Sequence, residues 1–198
     1  MKLEHSVVLI TGAAMRVGKE VALYFASKGA NIAFSYYEEN EPWQETKAEI
    51  KALGVKCFVK KVEIRNSSDI KVFVQETKEL FGRIDVLFNN ASVWLRKPFL
   101  QISEAEWDLA LDVNLKGPFL CSQAVAPIMK EQGQGVIINI TDLSAFQVWN
   151  DNAHHAASKA GLVALTKSMA FELAPEIRVN AIAPGTVLLP PDPSPAKV

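Results

Sequence analysis

An acid, an imidazole and an ammonium group fall close together in the second half of this chain. Asp142 follows an apolar run that predicts a strand over 135–141, and His155 and Lys159 lie in a helical pattern. Because residues four positions apart share one helical face, the histidine and the lysine should lie side by side. The strand end can bring the carboxyl group to that face, which predicts a site that handles a proton. A histidine–lysine pair on a solvated helix face is the simpler interpretation.

A turn of small residues near the start of the chain predicts a phosphate site. Thr11-Gly12-Ala13-Ala14-Met15-Arg16-Val17-Gly18 joins a short apolar run to an amphipathic helical pattern. Amide groups and the dipole at a helix N-terminus attract anions. Gly12 would permit the sharp turn, and Gly18 would let the helix pack closely on the sheet. A plain strand-to-helix turn is the alternative.

The residues that follow the second predicted strand bear on the kind of nucleotide. An acid in this region binds the ribose diol of NAD, whereas an arginine accommodates the 2′-phosphate of NADP. Tyr36 stands where that acid is expected, and Arg16 lies in the first turn. The pair favours NADP(H) over NAD(H). In the alternative, Arg16 is a solvated helix residue and Glu38 or Glu39 binds the ribose.

Two further strand ends supply candidate contacts for the adenosine half. Glu63 and Ile64 follow the third predicted strand and would lie at the adenine edge. Asn90 and Ala91 follow the fourth, where the amide can hold a turn together and the small alanine lets the backbone approach the ribose. A solvated surface charge and an asparagine-rich turn are the simpler interpretations.

The elements that must position these residues alternate regularly. Strands are predicted over 6–11, 31–36, 55–62, 84–89, 135–141 and 177–183. Helices are predicted over 17–28, 42–53, 67–81, 104–130 and 153–173, with a capping-box pattern at Ser103. Strands rich in Val and Ile without polar alternation are buried on both faces. The order predicts an α/β fold: a single doubly wound, Rossmann-type parallel sheet with helices on both faces, over residues 1–189. The proline-rich tail 190–198 is expected to be irregular.

Composition limits the classes of partner. The 198 residues include 21 basic and 22 acidic side chains, for a net charge of −1, and no like-charge block favours nucleic acid or an anionic membrane. Apolar runs are too short for a membrane span, and the N-terminus offers no signal peptide, so a cytoplasmic location is expected. Cys57 and Cys121 lack metal-type spacing and are expected to be buried, reduced thiols. We therefore expect a small-molecule substrate and no bound metal.

Taken together, these motifs resemble the short-chain dehydrogenases/reductases over nearly the whole chain. The glycine turn, Asn89-Asn90-Ala91, Asn114, the Lys159 helix and Arg178-Val179-Asn180-Ala181-Ile182-Ala183-Pro184-Gly185 follow that family's order. The resemblance implies that Asn114 holds a helix kink and a proton-relay water, and that Lys159 binds the nicotinamide ribose. It also implies that the nicotinamide is flanked by Pro184, Gly185 and Val187, and that the cofactor turn includes Val17. The family's habit of pairing helices between subunits implies a homo-oligomer, a dimer or a tetramer.

Within the family the chain looks most like the pteridine reductases, in which Arg replaces the middle glycine of the turn and Asp stands at the position of Asp142. The 3-oxoacyl-carrier-protein reductases, which share the strand end of the Tyr36 type, are a second similar branch. The resemblance implies reduction of a C=N or C=O bond by NADP(H). His155, however, stands where the family has its catalytic tyrosine, and a histidine is shorter than a phenol and a poorer acid. Weakened turnover, or a nucleotide-binding or scaffold protein without turnover, is the alternative. The chain is also shorter than most members, which would leave the sixth strand as a sheet edge.

Overall fold

Six parallel strands form one sheet. The computed structural model describes residues 2–185 and 187. The sheet runs in the order β3-β2-β1-β4-β5-β6, and every neighbouring pair is parallel. The strands are β1 (Val7–Ile10), β2 (Asn31–Tyr36), β3 (Cys57–Lys61), β4 (Val86–Asn89), β5 (Gly135–Ile140) and β6 (Ile177–Ile182). The predicted doubly wound α/β fold is confirmed, and β6 lies at one end of the described sheet.

Helices connect successive strands, as the alternation predicts. They are α1 (Arg16–Ser27), α2 (Trp43–Ala52), α3 (Ser67–Phe81), α4 (Glu104–Leu111), α5 (Gly117–Glu131) and α6 (Ala153–Glu172). The predicted capping box is present, because the Ser103 hydroxyl accepts from the Glu106 amide while the Glu106 carboxylate accepts from the Ser103 amide. Gly82 ends α3 with a left-handed φ of 76°. These local signals place the helix ends where the sequence predicts them.

The prediction of one continuous helix over 104–130 is wrong. A single π-helical turn, Asp112–Lys116, separates α4 from α5. Asn114 lies in this turn and is fully buried, with its side-chain amide bonded outside the helix. A polar side chain that pairs with other elements competes with regular helical hydrogen bonding, and π turns occur at functional sites. The helix is therefore irregular at Asn114, the residue at which the family resemblance implies a kink.

Both faces of the sheet are covered by apolar layers. Along β1, Leu9 belongs to the cluster that packs under α3 and α5, whereas Val8 and Ile10 belong to the cluster under α1 and α2. All three side chains are fully buried. This double burial explains the strands' continuous apolar character.

The two cysteines are free thiols in different surroundings. Cys121 is a buried free thiol, whereas Cys57 is only half-buried. Burial raises the pKa of Cys57 to about 11 and that of Cys121 to about 12.

None of the helices in the described ranges is long and apolar enough to cross a bilayer. The predicted tail 190–198 lies outside the described residues.

Gly18→Ala is expected to destabilise the fold. A Cβ at this position would lie 2.4 Å from the Gly12 carbonyl oxygen and 2.7 Å from Ala13 Cα. Because both are backbone atoms, the clash can be relieved only if α1 moves away from the sheet. Such overpacking costs about 1–3 kcal/mol of unfolding free energy, measurable by denaturant titration. Gly185→Ala is the matched control, since among the described residues its Cβ would meet only Leu143 Cδ1, at 3.8 Å. Equal stability of the two variants would contradict the assigned packing.

Candidate active site

The candidate site lies where the strand order reverses, between β1 and β4. In open parallel sheets the carboxyl ends of the strands around such a point form a crevice that binds ligands. Here the crevice is a cleft of about 620 Å³. Residues from the ends of β1, β2, β3 and β4 line it, and nine of them were predicted cofactor contacts: Gly12, Arg16, Val17, Gly18, Tyr36, Glu63, Ile64, Asn90 and Ala91.

The glycine turn forms the floor of this cleft. Gly12 has a φ of 63°, which an L side chain rarely adopts, and a Cβ there would lie 3.0 Å from Ala91 Cα. Asn90 ties the turn to β4 through its Nδ2, which donates to the carbonyls of Thr11 at 3.1 Å and Gly12 at 2.7 Å. The interpretation of Asn90 as a residue that holds a turn together is thus confirmed geometrically. The turn leaves a small-residue cradle suited to a phosphate group.

Two stacked aromatic rings and a carboxylate lie around the end of β2. Tyr36 stacks on Trp43 with ring centroids 5.0 Å apart and planes 14° from parallel. Glu41 Oε1 accepts from the amides of Tyr37 at 2.9 Å and Glu38 at 2.7 Å. An internal carboxylate therefore caps the pair of amides that follows this strand. Neither Glu38 nor Glu39 lines the cleft, so among the described residues Glu41 is the acid that lines it at this strand end.

The third strand end is organised by an ion pair. Arg65 donates to both carboxylate oxygens of Glu63, from Nε at 2.9 Å and from Nη2 at 2.5 Å. The Arg65 hydrogen bonds hold the pKa of Glu63 at about 2, against a smaller opposing effect of burial. Ile64 is 8% exposed and packs beside Gly117. Glu63 therefore reaches the cleft as a paired carboxylate, and Ile64 presents a small apolar surface beside it.

The predicted acid–imidazole contact is present after the end of β5, although neither residue is among those that line the cleft. Asp142 Oδ2 lies 2.5 Å from His155 Nε2, and Asp142 Oδ1 accepts from the Ser144 amide at 2.8 Å and from the Ser144 hydroxyl. Burial disfavours the charged carboxylate, but the hydrogen bonds from His155 and Ser144 outweigh it and hold the pKa of Asp142 at about 2. Asp142 is a carboxylate throughout the neutral range.

The second nitrogen of His155 faces both a donor and an acceptor. Its Nδ1 lies 3.1 Å from the Val93 carbonyl oxygen and 3.3 Å from Asn114 Nδ2. When Nδ1 carries a proton it can donate to the carbonyl, and when it does not it can accept from the amide. Asn114 Nδ2 also donates to the Val93 carbonyl and to the Ser158 hydroxyl. The surroundings thus accommodate both protonation states of the ring.

Lys159 lies one helical turn beyond His155 and is 3% exposed. Its Nζ donates to the Ile140 carbonyl at 2.9 Å. Burial lowers the pKa of Lys159 to about 8, although the nearby Asp142 carboxylate opposes that change. His154, the adjacent residue on α6, is fully buried, and both ring nitrogens lack hydrogen-bond partners among the described residues. Burial lowers the pKa of His154.

Three predicted nicotinamide contacts follow β6. Pro184 is half-buried, whereas Gly185 and Val187 are exposed. Gly185 lies beside Leu143, the residue after Asp142. These three positions do not line the cleft itself, so their predicted contacts with a nicotinamide stay a prediction.

Val93 joins the cleft to the cluster formed by Asp142, His155 and Lys159. It lines the cleft, and its carbonyl contacts both His155 and Asn114. Sequence reasoning missed this residue because its role depends on a main-chain oxygen, which any residue type supplies. It also missed Thr11, whose hydroxyl accepts from the amides of Asn90 and Ala91, and Ser144. The spacing Asp142-x-Ser144 does carry a signal, since aspartate commonly bonds the amide two residues on.

Known proteins of similar sequence and structure support this assignment of the fold. The family pattern described as short chain dehydrogenase matches residues 6–191. A 3-oxoacyl-[acyl-carrier-protein] reductase, FabG, from Staphylococcus epidermidis is 38% identical over 181 residues, 91% of this chain and 74% of that protein. The structure of 7α-hydroxysteroid dehydrogenase complexed with NADH gives a TM-score of 0.90 at 34% identity, covering 94% of this chain and 73% of that one. NAD+-bound xylitol dehydrogenase gives 0.89 at 30% identity, with 93% and 72% covered.

The similarity extends along almost all of the described sheet and its helices. It confirms the family resemblance and the oxidoreductase class that the motifs implied. The FabG relative belongs to the second branch named above, and the closer likeness to pteridine reductases stays a prediction. With its glycine turn, its parallel sheet and its Asn114 and Lys159 in the family's order, this chain belongs to the short-chain dehydrogenase/reductase family.

Proposed function

We propose that this protein is an NADP(H)-dependent oxidoreductase that reduces a C=N or C=O bond of a small molecule. The observation that carries the proposal is the junction at Val93, where the nucleotide-sized cleft meets the Asp142–His155 pair. A cofactor laid along the cleft would end beside the groups that can hold a proton. A plain structural turn would not need both parts at one edge of the sheet.

The residues of the cleft fit a dinucleotide. A side chain at Gly12 would crowd the turn, because its Cβ would lie 3.0 Å from Ala91 Cα, and the missing Cβ at Gly18 keeps the start of α1 close to that turn. Amides at the start of α1 would hold the pyrophosphate, Tyr36 and Arg16 the adenosine ribose, and Ile64 and Ala91 the adenine side. Lys159 would hold the nicotinamide ribose. When bound, the dinucleotide supplies a hydride.

The chain's own groups would manage charge and protons. Ser144 and His155 fix the Asp142 carboxylate, and Asn114 and Val93 fix the imidazole from its other side. A proton on Nδ1 is held by the Val93 carbonyl, away from the cluster's open side. Lys159 places a cation within range of Asp142. The group thereby combines a fixed anion with a ring whose two nitrogens are both held by the protein.

Turnover is the direct test. Purified protein should oxidise NADPH, followed by absorbance, with at least one member of a panel of cyclic imines, a dihydropterin and a 3-oxoacyl thioester. Asp142→Asn should lower that rate by about 10²-fold, a typical effect of removing one group that acts in the transition state. NADPH binding without oxidation across the whole panel would instead favour a nucleotide-binding or scaffold role, which the replacement of tyrosine by His155 makes the alternative.

Arg16→Gly is expected to weaken NADPH binding about tenfold and to leave NADH binding unchanged, since one charge-assisted hydrogen bond is worth at least 1.4 kcal/mol. Arg16 has a φ of 52°, so glycine preserves the backbone of the turn. Glu41→Gln is the matched variant, because it removes an anion from the same region and should strengthen NADPH binding. Calorimetry with both coenzymes measures the ratio. An unchanged NADPH-to-NADH ratio in both variants would overturn the NADP preference.

The second candidate is reduction of a 3-oxoacyl thioester, favoured by the 38% identity to the Staphylococcus epidermidis reductase. The thioester in the substrate panel distinguishes it.

We also propose a cytoplasmic homo-oligomer, a dimer or a tetramer. Phe119 on α5 and Phe171 on α6 support it, because their exposed fractions of 41% and 87% leave large apolar surfaces open in the single chain.

A further inference from the structure

The three ionisable residues of the cluster differ in how much surface they offer to a substrate. The side chain of His155 is 3% exposed, and Lys159 is also 3% exposed. The side chain of Asp142 is 21% exposed. The accessible member of the cluster is therefore the carboxylate, although the family resemblance places the acid of the reaction at position 155.

The hydrogen bonds explain why the histidine is withdrawn. Its Nε2 contacts Asp142 Oδ2, and its Nδ1 lies against the Val93 carbonyl and the Asn114 amide. Both ring nitrogens are thus engaged by the protein. The ammonium of Lys159 is directed at the Ile140 carbonyl. A substrate that reaches the cluster meets Asp142 first.

A carboxylate is the wrong partner for a ketone about to become an alkoxide. Hydride addition to C=O places negative charge on oxygen, and a positioned acid must supply a proton there. Asp142 stays ionised at neutral pH because Ser144 and His155 stabilise its charge. It offers an anion and free lone pairs, and no proton. The same anion would stabilise a cation placed beside it.

Resting on the proposed function, we propose that the substrate is a protonated imine, an iminium ion, whose N–H donates to Asp142. Hydride from the reduced nicotinamide adds to the iminium carbon, and the π electrons of the C=N bond become the nitrogen lone pair. The iminium is reduced to a neutral amine, and the nicotinamide is oxidised to its cationic form. Charge and atoms balance with no proton supplied by the protein, so a site without an accessible acid suffices.

Two exposed aromatic side chains lie on the chain segments next to the cluster. Trp94 follows Val93 and is 64% exposed, and its Nε1 donates to Asn152 Oδ1 at 3.3 Å, which ties the loop after β4 to the start of α6. Phe146 is 66% exposed and ends the 3₁₀ turn that begins after Asp142. Aromatic faces attract cations and pack against apolar rings. Together with the carboxylate, they favour a cyclic iminium with an apolar framework.

The test compares two compounds with one carbon framework. The iminium is 3,4-dihydroisoquinoline, studied at mildly acidic pH, and the matched ketone is α-tetralone. With NADPH or NADH as reductant, kcat/KM for the iminium is expected to exceed that for the ketone by about 10²-fold or more. Asp142→Asn, which keeps the shape and removes the charge, should abolish most of that advantage.

A second readout needs no cofactor. The product cation, 1,2,3,4-tetrahydroisoquinolinium, should quench the tryptophan fluorescence of the chain saturably, whereas isochroman, its neutral oxygen analogue, should not. Asp142→Asn should weaken this binding by about tenfold or more, the equivalent of one charge-assisted contact. Asp142→Ser is the second variant, so that a folding defect in one does not decide the result, and circular dichroism checks both.

The outcomes separate the inference from the proposed function. Reduction of α-tetralone as fast as the iminium, or cation binding that survives both Asp142 variants, overturns the iminium assignment and leaves hydride transfer intact. Coenzyme binding without reduction of either compound also overturns it. Failure of the folded protein to bind NADPH or NADH overturns the proposed function itself.

Discussion

Lys159→Met is expected to lower kcat/KM about 10²-fold and to abolish an alkaline limb centred near pH 8, in keeping with the usual contribution of one positioned ionisable group. Burial lowers the pKa of Lys159 to about 8. Below that pH the ammonium is charged and can donate to the ribose of a bound cofactor. As pH rises through 8 the charge is lost, so the rate should fall in the native protein and stay low and flat in the variant.

The pH profile must report the protein and not the substrate. Because 3,4-dihydroisoquinoline itself titrates, kcat/KM is calculated for its protonated fraction at each pH, and coenzyme affinity measured at the same pH values gives a second readout. Lys167→Met on the same helix is the control, since no hydrogen bond or ion pair of Lys167 to the cluster is present among the described residues. A limb near pH 8 that persists in Lys159→Met would contradict the role assigned to Lys159.

His155→Tyr is expected to raise ketone reduction by about 10²-fold, the lower range for a general acid. The native histidine contacts Asp142 through Nε2 and is buried, whereas a phenol supplies an O–H donor on a longer side chain. Lys159 lies one turn away, and its positive charge favours ionisation of a neighbouring phenol. α-Tetralone reduction followed by NADPH absorbance measures the gain.

His155→Phe is the matched control for this substitution, because it fills the position without a hydrogen-bonding group. It should show no gain with ketones and should release Asp142 from one of its two stabilising partners. A steep loss of ketone reduction in His155→Tyr would contradict this account and identify the histidine as the working acid.

The strand ends show why much of the fold and site is predictable from sequence. Gly12 and Gly18 act locally, through a left-handed φ and a missing Cβ, so residue type alone reveals them. His155 and Lys159 are related by helical periodicity, and the contact of His155 with Asp142 follows from the adjacent ends of β5 and α6. Short-range rules and parallel topology are sufficient for these features.

Other features depend on tertiary contacts that no local pattern encodes. The π turn at Asn114 arises from bonds to Val93 and Ser158, which are distant in sequence. The Glu41 carboxylate accepts hydrogen bonds from the two amides after β2, although Glu38 and Glu39 are nearer to that strand in sequence. Asp142 is more exposed than His155 and Lys159, and this difference depends on how the side chains pack. It is the reason that we assign the contact with substrate to Asp142.

The combination of Asp142 and His155 has a physical consequence for the whole site. Hydrogen bonds from Ser144 and His155 keep the carboxylate ionised, and that charge lies within range of Lys159. The negative charge disfavours an alkoxide and favours a cation. In the proposed reaction, the residues that depart from the family's motif therefore change which substrate charge the site stabilises.

Titration calorimetry with NADPH and with NADH on the folded protein shows whether a dinucleotide lies over the glycine turn, across the carboxyl ends of β1 and β4. We expect saturable heat with a stoichiometry of about one coenzyme per chain and loss of that heat in Gly12→Val, whose side chain would fill the cradle beside Ala91. Absence of heat with both coenzymes, on protein with an intact cooperative unfolding transition, would contradict it.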